Sequence, residues 1–210
     1  MHSGVKMAID TSAMFKLSYG LFVLTARDGD KDNGCIINTA TQLTSDPLQI
    51  SITVNKSNLT HDMILKTGLF NLSVLSTSTP FSIFQQFGFQ SGKDTDKFKD
   101  ADYDARSADG IRYLPSFANS VISARVSGTY DCGTHTLFIA SVCEALVLSQ
   151  EPSVTYQYYF DNIKPKPEAP KSKKSGYVCK ICGYVYEGEP LPPDFICPIC
   201  KHGAKDFKKI

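Results

Sequence analysis

Four cysteines near the C-terminus point to chemistry by their spacing alone: Cys179-Lys180-Ile181-Cys182 and Cys197-Pro198-Ile199-Cys200, with fourteen residues between the pairs. Two such knuckles close one tetrahedral thiolate site. Four converging thiolates without a metal would repel one another or oxidise. The spacing therefore predicts a metal centre on Cys179, Cys182, Cys197 and Cys200. Iron would make it an electron-transfer module and zinc a structural ribbon. Ligands of this type accept both.

The flanking residues lean towards iron. Gly183 follows the first pair and can adopt the left-handed backbone that turns amide N–H groups onto sulfur. Such hydrogen bonds tune the potential of an iron–thiolate centre. Tyr177, Tyr184, Tyr186, Phe195 and Phe207 supply an aromatic core to a unit of about 35 residues, which is small enough to need its metal for folding. The run from Tyr177 to Tyr186 and the run from Pro193 to Cys200 resemble rubredoxin. The short interval between the pairs resembles the rubredoxin-like tail of rubrerythrins, and Lys201 stands where rubredoxins usually carry Gly. The resemblance implies one iron held by four cysteines, Fe(Cys)4.

A second constellation lies earlier in the chain. The segment from Asn33 to Pro47 is dense in small polar side chains and lies between two expected strands. Eight residues further on, Asn55-Lys-Ser-Asn-Leu-Thr-His61 joins a strand end to a helix start. A helix N-terminus beside Lys56 and hydroxyl groups suits a phosphate. A capped helix next to a Ser/Thr-rich loop would read the same way. The chain has neither G-x-G-x-x-G nor G-x-x-x-x-G-K-[ST], so a Rossmann site and a P-loop are not expected.

The elements that must position these residues are mostly strands. Alternating or apolar runs predict strands over Tyr19–Thr25, Cys35–Thr41, Leu48–Val54, Leu69–Leu75, Val121–Val126 and Thr136–Val142, with a polar hairpin turn over Arg27–Gly34. Two short helices interrupt them. Asn58 or Thr60 caps His61–Lys66, which Gly68 ends. Thr79 caps Pro80–Phe87, with Gly88 just beyond. Many strands with few short helices predict a barrel.

The blocks Asn33–Pro47, Asn55–His61 and Asp131–Val142 together resemble the flavin reductase family. That family has an FMN-binding split β-barrel and usually forms homodimers. The expected fold class is thus mainly β: a split barrel with short helices, plus a small C-terminal rubredoxin-like domain. The resemblance implies that Asn38, Thr39, Thr41 and Gln42 face the flavin ring and ribityl chain. It places Ser45 and Asp46 near the pyrimidine edge, and Lys56, Asn58 and Thr60 at the phosphate. His135 takes the histidine of the family's Gly-Asp-His and lines the nicotinamide pocket; here the motif reads Gly133-Thr134-His135. Phe87–Phe98 resembles a loop carried over the flavin, from which Ser91, Gly92, Lys97 and Phe98 complete the site, from either subunit. His61 reads as a helix-start residue rather than a catalyst.

Composition sets the boundaries. The 210 residues divide into a large domain over 1–163, a Lys/Pro-rich linker over 164–176 and a metal domain over 177–210. Net charge is +1, with 22 basic and 21 acidic residues, which gives no electrostatic case for nucleic acid. No apolar run approaches the roughly 20 residues of a membrane span. The N-terminus lacks the apolar core of a signal peptide, and Met7 is a second plausible start. Cys35, Cys132 and Cys143 are odd in number and widely spaced, which predicts a reducing cytoplasm rather than a disulfide framework.

The two domains make sense together. NADH or NADPH gives two electrons as hydride, an iron–thiolate centre takes one, and a flavin converts between them. The fusion resembles the high-molecular-weight rubredoxins of anaerobes, which implies a flavodiiron protein as the electron acceptor. Two other readings stay open: a flavin reductase that releases reduced FMN to a separate enzyme, and a zinc-ribbon interaction protein without turnover.

Overall fold

The computed structural model describes residues 9–99, 105–165, 176–181, 183–198 and 202–210. Seven strands form one antiparallel sheet: β1 (Phe22–Asp28), β2 (Lys31–Ile37), β3 (Ala40–Ser45), β4 (Leu48–Asn55), β5 (Leu69–Leu75), β6 (Ala118–Asp131) and β7 (His135–Val147). Their order is β2-β1-β5-β6-β7-β4-β3. The two edge strands, β2 and β3, are therefore neighbours in sequence, joined by Asn38 and Thr39 alone. In a flat sheet, six strand spacings would hold these edges about 29 Å apart. Three Cα steps reach no more than about 11 Å. The sheet must curl until its edges meet, and it becomes a barrel whose β2–β3 seam is not paired as a ladder.

The curled sheet encloses an apolar core. Leu24, Ile52, Val54, Phe70, Leu72 and Phe138 pack inside it. Phe70 and Phe138 are almost fully buried, and each such side chain contributes roughly 1.5–3 kcal/mol. The opposite face of β1 is covered too: Leu21 and Val23 meet Ile83, Phe84 and Phe87 of α2 (Phe81–Gly88), with Tyr159 and Val154 alongside. α1 (Leu59–Thr67) follows β4 and ends at Gly68, whose φ of 70° is the left-handed conformation of a helix C-cap.

Several expected boundaries moved. The turn expected over Arg27–Gly34 shrinks to Gly29 and Asp30, because Lys31–Asn33 pair with Ala26–Asp28 as strand. The single strand expected over 35–41 breaks at Asn38. β6 and β7 run to 14 and 13 residues, well past the apolar stretches expected, with their far halves exposed. Thr79 does not cap α2. Pro80 is the N-cap, the Thr79 hydroxyl donates to the Phe117 carbonyl at 2.8 Å, and Gly88 lies within the helix. The α3 turn (Tyr156–Tyr158) and the wide helical turn over Tyr159–Ile163 were not expected.

The C-terminal unit is a three-stranded sheet in the order β10-β8-β9, from β8 (Tyr177–Cys179), β9 (Val185–Tyr186) and β10 (Phe207–Lys209). Of the linker expected over 164–176, residues 166–175 lie outside the described residues.

Candidate functional site

The N-terminus of α1 opens on a cavity of about 530 Å3 lined by Asn33, Cys35, Asn58, Thr60, Gly92 and Lys97, among others. Asn58 is the N-cap through its backbone, and its side chain makes no capping bond. Buried Asn33 donates its side-chain amide to the Thr60 hydroxyl at 2.9 Å. The loop after α2 closes the other wall. Gly92 lies so near Asn33 that a Cβ would fall 2.0 Å from the amide oxygen. The Lys97 ammonium is almost wholly buried and donates to the carbonyls of Gly34 at 2.8 Å and Phe87 at 3.1 Å. Burial pushes its pKa down, and the nearby Cys35 only partly offsets this. Burial also pushes the Cys35 thiol up, opposed by a hydrogen bond from Thr60 and the charge of Lys97.

This arrangement suits an anionic, polar ligand: helix amides, the hydroxyls of Ser57, Thr60 and Ser91, side-chain amides and a buried cation share one opening. Five residues expected at a flavin, Asn58, Thr60, Ser91, Gly92 and Lys97, line it together. Asn33, Cys35 and Ser57 line it too and were not singled out from sequence, although Asn33 opens the polar segment noted there.

A second group gathers where β4 meets β7. Lys56 pairs with Asp131 at 2.7 Å, and this bond, with the Gly133 amide, holds the Asp131 carboxyl below its usual range. The Lys56 backbone amide donates to the Thr134 carbonyl at 3.0 Å. Half-buried His135 lies opposite Asn55 in the ladder, and its Nδ1 is 2.8 Å from the Thr134 hydroxyl. A hydroxyl thus stands where a carboxylate would orient the ring. Thr39 bonds the Thr53 carbonyl at 2.8 Å, which brings Asn38 and Thr39 beside the same end of β4. His61 is buried, with Nε2 2.9 Å from the Thr136 hydroxyl, Nδ1 3.0 Å from Asp62 and its ring edge-on to Phe138. It ties the start of α1 to β7, a structural part consistent with its place at the helix start.

The remaining residues lie elsewhere. Thr41 and Gln42 border an apolar groove of about 210 Å3 with Phe22, Leu48, Ile122 and Val142. Ser45 and Asp46 are exposed at the β3–β4 tip. β4 spans about 23 Å at ~3.3 Å per residue, so that tip is far from Lys56 within one chain.

In the C-terminal unit, Cys179 and Cys197 are fully buried in one cluster with Phe207, flanked by Tyr177, Tyr184, Tyr186 and Phe195. Gly183 has φ 79°, and its amide bonds the Cys179 carbonyl at 2.9 Å. The second knuckle is closed by the Cys197 amide on the His202 carbonyl at 2.8 Å. Cys182 and Cys200 lie outside the described residues. Two buried cysteines, one from each pair, in one aromatic shell fit a thiolate-bound metal.

Comparison with known proteins decides the class. A flavin reductase like domain matches residues 14–166, and a rubrerythrin, rubredoxin-like domain matches residues 177–208. The chain belongs to the flavin reductase-like family. This member is 38% identical to the high molecular weight rubredoxin of Moorella thermoacetica, over 96% of this chain and all of that protein. It is 35% identical to the ferric-chelate reductase (NAD(P)H) of Archaeoglobus fulgidus, over 78% of this chain and 95% of that one. The flavin reductase-like fold is shared with the Streptomyces globisporus NADH:FAD oxidoreductase, with a TM-score of 0.63 and 19% identity over 72% of this chain and 92% of that one. Flavoredoxin from Methanosarcina acetivorans gives 0.59, with 20% identity over 68% and 75%. As a flavin reductase-like protein carrying a rubredoxin-like domain, the chain is an oxidoreductase. No helix among the described residues is long and apolar enough to cross a membrane.

Proposed function

We propose that the chain is an NAD(P)H-dependent flavin oxidoreductase that passes electrons from NAD(P)H through FMN to an Fe(Cys)4 centre, and on to a flavodiiron protein. The observation that carries this reading is the presence, on one chain, of a polar cavity at a helix N-terminus and a pair of buried knuckle thiols. A flavin held by these residues would supply hydride acceptance and single-electron release towards an iron–thiolate centre.

Asn58, Thr60, Ser91, Gly92 and Lys56 hold the phosphate and ribityl end, using the α1 amides and the uncommitted Asn58 side chain. Asn38, Thr39, Thr41 and Gln42 face the ring. Thr134 fixes the His135 ring, which lines the nicotinamide pocket. Cys179, Cys182, Cys197 and Cys200 hold the iron. Ser45 and Asp46 meet the ring's pyrimidine edge in a homodimer, which also covers the apolar groove and the exposed Leu43, Leu48, Leu146 and Val147 beside it. Unpaired Cys35, Cys132 and Cys143 suit a reducing cytoplasm. The large domain ends at 163, and residues 164–176 tether the metal domain.

The test is an absorption spectrum of the anaerobically purified protein before and after NADH. Flavin and ferric-thiolate bands that both bleach support the relay. A bleaching flavin without an iron band reduces the protein to a flavin reductase. No flavin band overturns the reading of the cavity.

A further inference from the structure

The two knuckles face the large domain of their own chain. Ile181, between Cys179 and Cys182, is half-buried and lines a groove of about 190 Å3 walled by Leu21, Phe84, Tyr156 and Phe160. The Lys164 ammonium donates to the Ile181 carbonyl at 3.2 Å and lies 4.7 Å from the centre of the Phe160 ring. A cation over an aromatic face is attractive in its own right, so Lys164 grips both sides of the junction. Pro198, next to Cys197, lines the 530 Å3 cavity together with Asn58, Thr60 and Gly92. Among the described residues, Ile181 and Pro198 make these approaches, and each lies between paired cysteines. The side of the metal domain turned to the large domain is therefore the thiolate side, and one knuckle stands at the mouth of the cavity.

We propose that the metal domain docks on its own chain through both knuckles, with Ile181 in the aromatic groove and Pro198 at the cavity mouth, and that electrons reach the iron by this contact within one chain. The proposal rests on the relay reading above. A hydride would supply two electrons to a bound flavin, and each passage through the contact would reduce one ferric ion to ferrous. The acceptor must reoxidise that ion before the second electron follows. Among the described residues the junction is an apolar groove with the Lys164 latch, a contact that can form and release in each cycle.

The test uses the full-length holoprotein. The chain has no tryptophan, so Phe160→Trp places a single fluorescent reporter in the groove. In that parent the reporter is shielded from acrylamide. Adding Ile181→Asp exposes it, and adding Lys164→Ala, which lies outside the metal domain's own fold, does so in the same direction. In stopped-flow traces with NADH, both changes leave flavin bleaching intact and slow iron bleaching by about tenfold or more as docking is lost. A reporter equally accessible with and without these changes overturns the docking. A freed reporter with unchanged iron bleaching overturns the electron route through this contact. Iron that never bleaches in the parent overturns the relay, and the reporter then still reads the docking separately.

Discussion

At the residue scale, the cavity combines groups that oppose each other in pH. Burial lowers Lys97 from its ordinary value of 10.5, so the unfolded chain binds more protons there than the folded one. That contribution to stability is absent below the lowered value and grows as pH rises towards 10.5. Cys35 is raised from 9.0, so its contribution is lost as pH rises past 9.0. Urea unfolding in the alkaline range should show Lys97→Met losing a rising slope and Cys35→Ala losing a falling one. Gly92→Ala drives a methyl against the Asn33 amide and breaks its bond to Thr60. We expect FMN affinity to fall about tenfold, roughly 1.4 kcal/mol, in a flavin fluorescence titration. The rubredoxin-like unit was legible in sequence because its paired-cysteine spacing is local. Asn33 and Cys35 were not, since their roles depend on a loop about 60 residues away folding onto β2.

At the element scale, α1 is placed by its two ends. His61 anchors the start to β7, and Gly68 stops the helix with a left-handed residue. A Cβ at Gly68 meets nothing within 4 Å, so Gly68→Ala carries backbone strain alone. It should cost about 1–2 kcal/mol, read from the urea midpoint, with flavin affinity nearly unchanged. Strand cores were legible from alternation. Their ends were not: Lys31–Asn33 and Glu144–Val147 are strand by virtue of ladder partners, which outweigh their polar or irregular pattern. Thr79 reads as a cap in sequence, yet the Phe117 carbonyl, supplied from 38 positions away, takes its hydroxyl.

At the scale of the whole molecule, the two units differ in what holds them. The barrel has a packed interior of its own, whereas the C-terminal unit has three short strands and a few aromatic rings. Removing the metal should unfold the small unit while leaving the barrel's thermal transition in place. Loss of the ferric-thiolate bands and of amide dispersion confined to residues 177–210 would check this. A concerted loss of both transitions would show that the barrel leans on its appendage. The β-rich class was visible in the strand pattern. Closure of the barrel was not, because it follows from which strands form the edges, a matter of pairing rather than of any one segment.

The pairing of β4 with β7 sets the order in which the chain can fold. Asn55 and His135 are ladder partners eighty positions apart, while the C-terminal sheet pairs Phe207 with Cys179 over only 28. Contacts of long sequence separation form slowly, because loop closure comes before any compensating pairing. On the ribosome the β3–β4 hairpin emerges early and waits with β4 unpaired on its outer side until β7 is made, open to edge-to-edge association in the interval. The wall of the cavity built from β2 and the start of α1 is thus made before the strand that anchors His61. In refolding from urea, a slow barrel phase should be accompanied by a fast, metal-dependent one from the C-terminal unit.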